Sequence, residues 1–508
     1  MNKQTKLVLL IFCIAKLALH LIADSNSGFQ GDELLHIQTG NHLAFGFMEF
    51  PPIISVLAFL QNLFHSESVF IHHIYSHLAS ILILIYVSKI VVELGGKTKA
   101  VFLVLLCILI APAFGRSQQL FQPVVFSQLF WVLNFFWLTK YVKYLDQKYL
   151  WLLTIGAAIA FLTKYDAIFF IFGVSSLLFF KTTRQALIDH KFWWNIVVFI
   201  LLISPNVIWQ YLNNFPVLRM FNRLYEMHLD KLTPIGVLGS LALSLNPLTL
   251  LISLLAMVSM FHQSMKEYRP LSLSILLSVL LLALCQGKGY YFYPIALTML
   301  PFGGIFWENV IIAKRKWLIY PISFVLLLGV FLIPFGMPVF PLESYLKHDY
   351  PHENREVVIG GQFNVRFEER YSKEKWDVTL KELKTVYDSF PNPEKNNTII
   401  WGKHYGQAGA VNLLGNQHNL PKAFSLHGSF YNWIPYGDMP NTIIAIRYGD
   451  ARGADFFEPY FEEVMPAKSI YNPYADKEER VWQTVFICKK PKQTFDELKT
   501  LFKDRVYE

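Results

Sequence analysis

The chain has 508 residues, 54% of them hydrophobic and only 16% charged, which excludes an ordinary soluble protein. Its net charge of +8 invites a nucleic-acid reading. However, most basic residues before Pro341 sit in short loops beside long apolar runs, where membrane orientation explains them and nucleic acid does not.

Taken in chain order, Met1–Lys6 followed by the apolar run 7–23 has the form of a signal peptide, but the many later runs favour an uncleaved first helix. A spanning helix needs about 20 mainly apolar residues. On that scale the sequence predicts eleven spans, near 7–23, 69–92, 100–115, 122–139, 149–162, 166–180, 193–211, 234–261, 271–286, 291–312 and 317–336. Residues 51–65 are apolar but short and open on Pro51-Pro52, so an interfacial helix is expected there. Cys13, Cys107 and Cys285 fall in apolar runs and Cys488 in the tail, a distribution that suggests neither a disulfide framework nor a CxxC site.

Basic residues set the orientation. With a cytoplasmic N-terminus, fifteen Lys and Arg lie in the cytoplasmic segments, against six in the short loops opposite: Arg116, Lys164, Arg219, Arg223, Lys231 and Lys288. The long first loop, Asp24 to Ser68, has none. The expected arrangement is a multi-pass protein of the plasma (inner) membrane. A transmembrane catalytic domain covers 1–340, with the first external loop at 24–68, and an extracytoplasmic domain covers 341–508.

After Pro341 charge becomes dense and the long apolar runs stop. Lys375–Phe390 is amphipathic with a period near 3.6. Thr398–Trp401, Thr442–Arg447 and Val481–Cys488 read as strands, and Thr494–Phe502 as a closing helix. The tail is therefore predicted to be a small α/β domain. Its residues form no convincing catalytic constellation, and a lid or an acceptor-docking role is the expected reading.

The chemistry concentrates in the first loop, in Gly31-Asp32-Glu33-Leu34-Leu35-His36 and then Gly46-Phe47-Met48-Glu49-Phe50-Pro51-Pro52. On a helix Asp32 and His36 share a face, while Glu33 points about 100° away. A partly desolvated carboxylate without nearby cations suits a general base. The alternative is structural: Asp32 caps a helix and Glu33 sits at its positive end.

These segments resemble the first external loop of GT-C glycosyltransferases, in the protein O-mannosyltransferase-like branch that includes the lipid A aminoarabinose transferases. Further similarities follow in order. They are Leu162-Thr163-Lys164-Tyr165, Ser204-Pro205-Asn206-Val207-Ile208-Trp209, Gly287-Lys288 with Tyr293-Pro294, and, in the tail, Tyr405-Gly406-Gln407-Ala408-Gly409-Ala410 and His427-Gly428-Ser429-Phe430-Tyr431-Asn432-Trp433. Two departures stand out: Glu49-Phe50-Pro51-Pro52 where many relatives have Asp-His-Pro-Pro, and Leu34-Leu35 where an aromatic pair often follows Asp-Glu.

The resemblance implies a polytopic α-helical membrane protein of GT-C type with a C-terminal α/β domain. It also implies transfer of a monosaccharide, with inversion, from a polyprenyl-phosphate donor to a lipid, glycan or protein hydroxyl. Asp32 is then the candidate base. Glu33 is the second candidate catalytic residue, holding the acceptor by hydrogen bonds, and His36 and Glu49 are candidate acceptor or sugar contacts. Lys164, Lys288, Arg219 and Arg223 form a candidate clamp for the leaving phosphate, with ordinary solvated loop charge as the alternative for each.

A divalent metal on Glu49 and His228 is a lesser expectation, because no close ligand spacing supports it. His72, His73 and His77 are expected to pack at the start of the second span. Lys16, in the middle of the first, needs an interior partner. A lipid-sugar transporter or flippase and a non-catalytic scaffold are the competing classes.

Overall fold

The computed structural model describes residues 1–226, 245–285, 289–344, 371–471 and 481–507. The chain divides into two compact units. One comprises Met1–Ile22, Phe45–Ile54 and His73–Val339, and the other Ala23–Ala44, Ser55–His72 and Phe340–Glu508.

The first unit is helical. Among the described residues, six helices are long and apolar enough to cross a membrane, or eight when two bent pairs count as one span each. The predicted run 100–115 breaks at Pro112 into Thr98–Ile110 and Pro112–Gln119, bent by 71°, because proline has no N–H and clashes with the preceding turn. The run 166–180 ends in a 103° bend into Lys181–Asp189. The predicted run 149–162 is the helix Gln147–Thr163, 17 residues long, whose Asp146 side chain accepts from the Lys148 N–H at the N-cap. Of the predicted run 234–261, the helix Pro247–Phe261 is described.

Several polar side chains inside this unit find partners within it, as an apolar surrounding favours. Lys16, 1% exposed, donates to the Phe114 carbonyl at 2.6 Å, which supplies the interior partner the sequence calls for. His20 and His77 bring their Nδ1 atoms to 3.1 Å, and His73 packs edge-on against His77. Glu93, closing the helix Val69–Glu93, pairs with Lys140 at 2.6 Å and Lys143 at 3.0 Å.

The second unit joins first-loop segments to the tail. Its five-stranded sheet comprises β1 (Ile399–Gly402), β2 (Ala423–Phe424), β3 (Thr442–Tyr448), β4 (Phe461–Tyr471) and β5 (Val481–Pro491), in the order β2-β1-β3-β5-β4. β1 runs parallel to β2 and β3, whereas β5 is antiparallel to β3 and β4. Alternation along β3 serves two cores. Ile444 and Ile446 face Leu380 and Leu383 of the helix Ser372–Asp388, and Ile443 and Ala445 join Trp401, Phe486 and the Phe495–Phe502 helix.

The strands β1, β3 and β5 and the helix Ser372–Asp388 fall where the sequence predicts strands and an amphipathic helix. β2 has two residues, and β4 is largely exposed at the sheet edge and interrupted by Pro466, so neither carries a strand signature.

Candidate active site

Asp32 lies in the first turn of a helix, Gly31–Thr39. It does not cap that helix as the structural alternative has it, although Glu33 does lie at the helix's positive end. The cap is a box in which Glu33 Oε2 accepts from the Gln30 N–H at 2.8 Å, with Gln30 reaching forward in return. Glu33 is fully buried and His36 nearly so, whereas Asp32 is half-exposed. The two adjacent carboxylates thus have different surroundings: Glu33 is built into the fold and Asp32 is presented.

The tail supplies a contact that sequence reasoning missed. Tyr405 OH donates to Asp32 Oδ1 at 2.6 Å. Tyr405 opens the helix Tyr405–Leu414, which His404 caps by accepting the Gly406 N–H on Nδ1. This helix packs closely on the Asp32 helix through glycine. A Cβ on Gly406 would meet Gly31 Cα at 3.2 Å, and one on Gly409 would meet Leu34 Cβ at 2.8 Å. The His404 and His427 rings lie against Tyr405, at centroid distances of 4.0 and 4.8 Å.

Burial disfavours the charged form of both imidazoles. Burial lowers His404 well below its ordinary value, with the charges of His427 and Lys375 adding to the effect. Burial and then Lys403 push His427 down to about 4. The signal for the close packing was present in Gly406 and Gly409, whose spacing of three puts both on one face of the Tyr405–Leu414 helix.

In the other unit, three sequence motifs meet. Tyr165 OH donates to Asn206 Oδ1 and accepts from Gln210 Nε2, each at 3.0 Å. Asn206 Nδ2 donates to the Phe45 carbonyl at 2.8 Å and Gln210 Nε2 to that of Phe47 at 3.1 Å. A Cβ on Gly46 would meet the Trp209 ring at 2.6 Å, so the intervening turn closes onto Trp209 only with glycine there.

Lys164, on the same turn as Tyr165, pairs with Asp166 at 2.7 Å and lies 3.9 Å from the Tyr291 ring centroid. Ser127 donates to the second Asp166 oxygen at 2.9 Å. Arg219 and Arg223 share the helix Pro216–Glu226, with Arg223 paired to Glu226 at 3.5 Å. A cavity of about 820 Å³ opens beside these residues. Its walls are mostly apolar, including Phe161, Phe169, Phe221 and Leu284, with a polar edge of Asp166, Asn206 and Gln210. Glu49 belongs to this unit and is half-buried. Lys288 and His228 lie outside the described residues.

Residues 50–209 match the model of the Dolichyl-phosphate-mannose-protein mannosyltransferase family. Among solved structures, ArnT from Cupriavidus metallidurans bound to undecaprenyl phosphate has a TM-score of 0.57 at 12% identity, over 94% of this chain and 97% of that one. The chain has the GT-C fold. The apo state of the same ArnT matches with a TM-score of 0.56 at 11% identity, over the same shares of the two chains. No curated protein matches the sequence. The stretch matched by the family model contains Glu49's neighbours Phe50-Pro51-Pro52, the Lys164–Tyr165 turn and the Asn206–Trp209 helix end, so in this GT-C protein it includes Tyr165 and Asn206, whereas Phe45, Phe47 and Gln210 lie just outside it.

Proposed function

We propose that the chain is an integral-membrane glycosyltransferase. It moves a monosaccharide from a polyprenyl-phosphate donor to a lipid, glycan or protein hydroxyl on the extracytoplasmic face, with inversion. The observation that carries this reading is the cavity of about 820 Å³, apolar along its walls and polar at one edge, beside a lysine. Such a site suits a substrate that is part hydrocarbon and part phosphate. The fold shared with a protein crystallised on undecaprenyl phosphate agrees with it. The basic-residue bias supports the extracytoplasmic assignment.

In this reading Asp32 takes the proton of the acceptor hydroxyl as its oxygen bonds to the anomeric carbon. The bond from that carbon to the phosphate oxygen breaks, and its electron pair leaves with the polyprenyl phosphate. Lys164, Lys288, Arg219 and Arg223 offset the charge gained by the phosphate. Glu33, being buried and bonded to Gln30, holds the turn that presents Asp32, and His36 and Glu49 are kept as acceptor or sugar contacts. A divalent ion on Glu49 and His228 would add Lewis-acid stabilisation. Activity that survives EDTA treatment would remove that ion, whereas loss restored by added metal would support it.

The test is a deletion strain whose envelope lipids, glycans and proteins are compared with the parent by mass spectrometry. The expected result is the loss of one species heavier by a single monosaccharide than what accumulates, restored by the wild-type chain. A deletion that changes no glycosylated species would overturn the proposal.

A further inference from the structure

The Asp32 helix is moulded on the tail at both ends. Before it, Trp376 Nε1 donates to the Phe29 carbonyl at 2.8 Å, and Gly28, at a φ of +67°, passes against the Lys373 backbone with no room for a Cβ. At its first turn Tyr405 meets Asp32. Along its length, Gly406 and Gly409 admit close contact. Beyond its end, His42 stacks on Trp433 at a centroid distance of 4.3 Å and an interplanar angle of 8°.

The Tyr405 helix is itself braced from behind. Gln407 Nε2 donates to Gln483 Oε1 of β5 at 2.8 Å, and Gln483 Nε2 donates to Thr379 at 2.8 Å, all three being buried. A buried amide network with its partners in place rigidifies what it joins. The position of the Tyr405 hydroxyl is therefore set by the sheet, and its orientation by the His404 and His427 rings packed against it.

We propose that Tyr405 is a positioning residue for the transfer reaction, and that the tail's function is to aim Asp32. This rests on the reading of Asp32 as the base. A carboxylate on a half-exposed first turn rotates freely about its side-chain torsions unless something fixes it. The hydrogen bond from Tyr405 occupies Oδ1 and leaves Oδ2 as the oxygen that receives the acceptor proton. The product of the step is then an Asp32 carboxyl protonated on Oδ2 and still anchored through Oδ1. The gain is orientational, and small misplacements of a catalytic group cost large factors in rate. The tail thereby acquires a catalytic purpose that a lid or docking module would not have.

The experiment uses the full-length chain in the deletion strain. It follows the initial rate at which the missing glycosylated species reappears after induction, at matched protein levels and melting temperatures. Tyr405→Phe keeps the ring packing and removes only the donor, so the rate is expected to fall about tenfold, the factor typical of one lost hydrogen bond to a charged group. Installing 4-aminophenylalanine in place of Tyr405 restores a para donor, and most of the rate should return; a purely structural tyrosine would give no such rescue.

A Tyr405→Phe rate equal to wild type, with Asp32→Asn inactive, overturns the positioning role and leaves the base standing. The positioning role also fails, with the base intact, when the Phe variant is slow and the amino variant equally slow. An active Asp32→Asn overturns the base reading itself, and the positioning role with it.

Discussion

The two units carry information in opposite ways. In the helical unit, hydrophobicity is so general that it says little, and the rare polar side chains say most. Lys16 finds the Phe114 carbonyl, and Tyr165, Asn206 and Gln210 form one bonded group. In the unit built around the sheet, polar residues are common and pattern says most: a short apolar run in β3 and period 3.6 in the helix Ser372–Asp388 mark the elements. Chemistry is easiest to find in the first kind of region and architecture in the second. The Asp32 helix has the composition of an external loop yet packs with the sheet unit, so its acidic pair is conspicuous while its partners are not.

The largest expected effect tests the division between the two carboxylates. Asp32→Asn removes the proposed base from a half-exposed position and should lower transfer about 10³-fold, with expression and melting temperature unchanged. Glu33→Gln should do the reverse in kind. It weakens the cap at Gln30, costing about 1 kcal/mol of stability, seen as a lower melting temperature. Equal behaviour of the two variants would erase the distinction between a presented and a built-in carboxylate.

Next comes the polar edge of the helical unit. Lys164→Ala removes a cation from the proposed phosphate clamp and should cost about 10² in rate, with membrane insertion intact. Lys164 also neutralises the buried Asp166, so Lys164→Ala/Asp166→Asn separates the two roles. If the clamp is right, the double variant recovers stability and stays inactive. A fully active Lys164→Ala/Lys288→Ala protein would eliminate the clamp.

A smaller effect is expected where the two helices meet. In Gly409→Ala the new Cβ would lie 2.8 Å from Leu34 Cβ, close to backbone that cannot swing away. Overpacking of this kind costs about 1–3 kcal/mol, measurable as a lower unfolding midpoint, with a partial loss of activity as the Asp32 helix is displaced. An unchanged midpoint would show that the helices separate freely.

Much of the fold and half of the site can be read from the residues. Asp32 stands out because its loop has no Lys or Arg, and Lys164 because the expected orientation puts it on the side with few cations. β1, β3 and β5 are visible because burial on both faces demands β-branched and aromatic residues. Tyr405 is hidden for a different reason. It is 373 positions from its partner, and nothing in a single sequence encodes which loop a distant tyrosine will meet. The breaks in the predicted spans are half-visible: Pro112 marks one, but a proline is compatible with either a kink or an interrupted helix.

The finest test concerns the imidazoles that flank Tyr405. Both His404 and His427 have values below that of an exposed histidine, His427 at about 4. Between roughly pH 6.5 and 4 the unfolded chain therefore binds more protons than the folded one. Their contribution to stability is complete above about pH 6.5 and is lost as pH falls toward the folded value. Protonating His404 on Nδ1 would also remove the acceptor that caps the Tyr405 helix at Gly406, so the helix that carries the Asp32 contact should loosen first. Melting curves of the full-length chain in detergent, taken from about pH 7.5 down to about pH 5, should show a falling transition for the sheet unit. In His427→Gln, which removes one of the two titrating groups, the slope should be shallower. An identical slope in wild type and variant would mean that the imidazoles are not the groups resisting protonation.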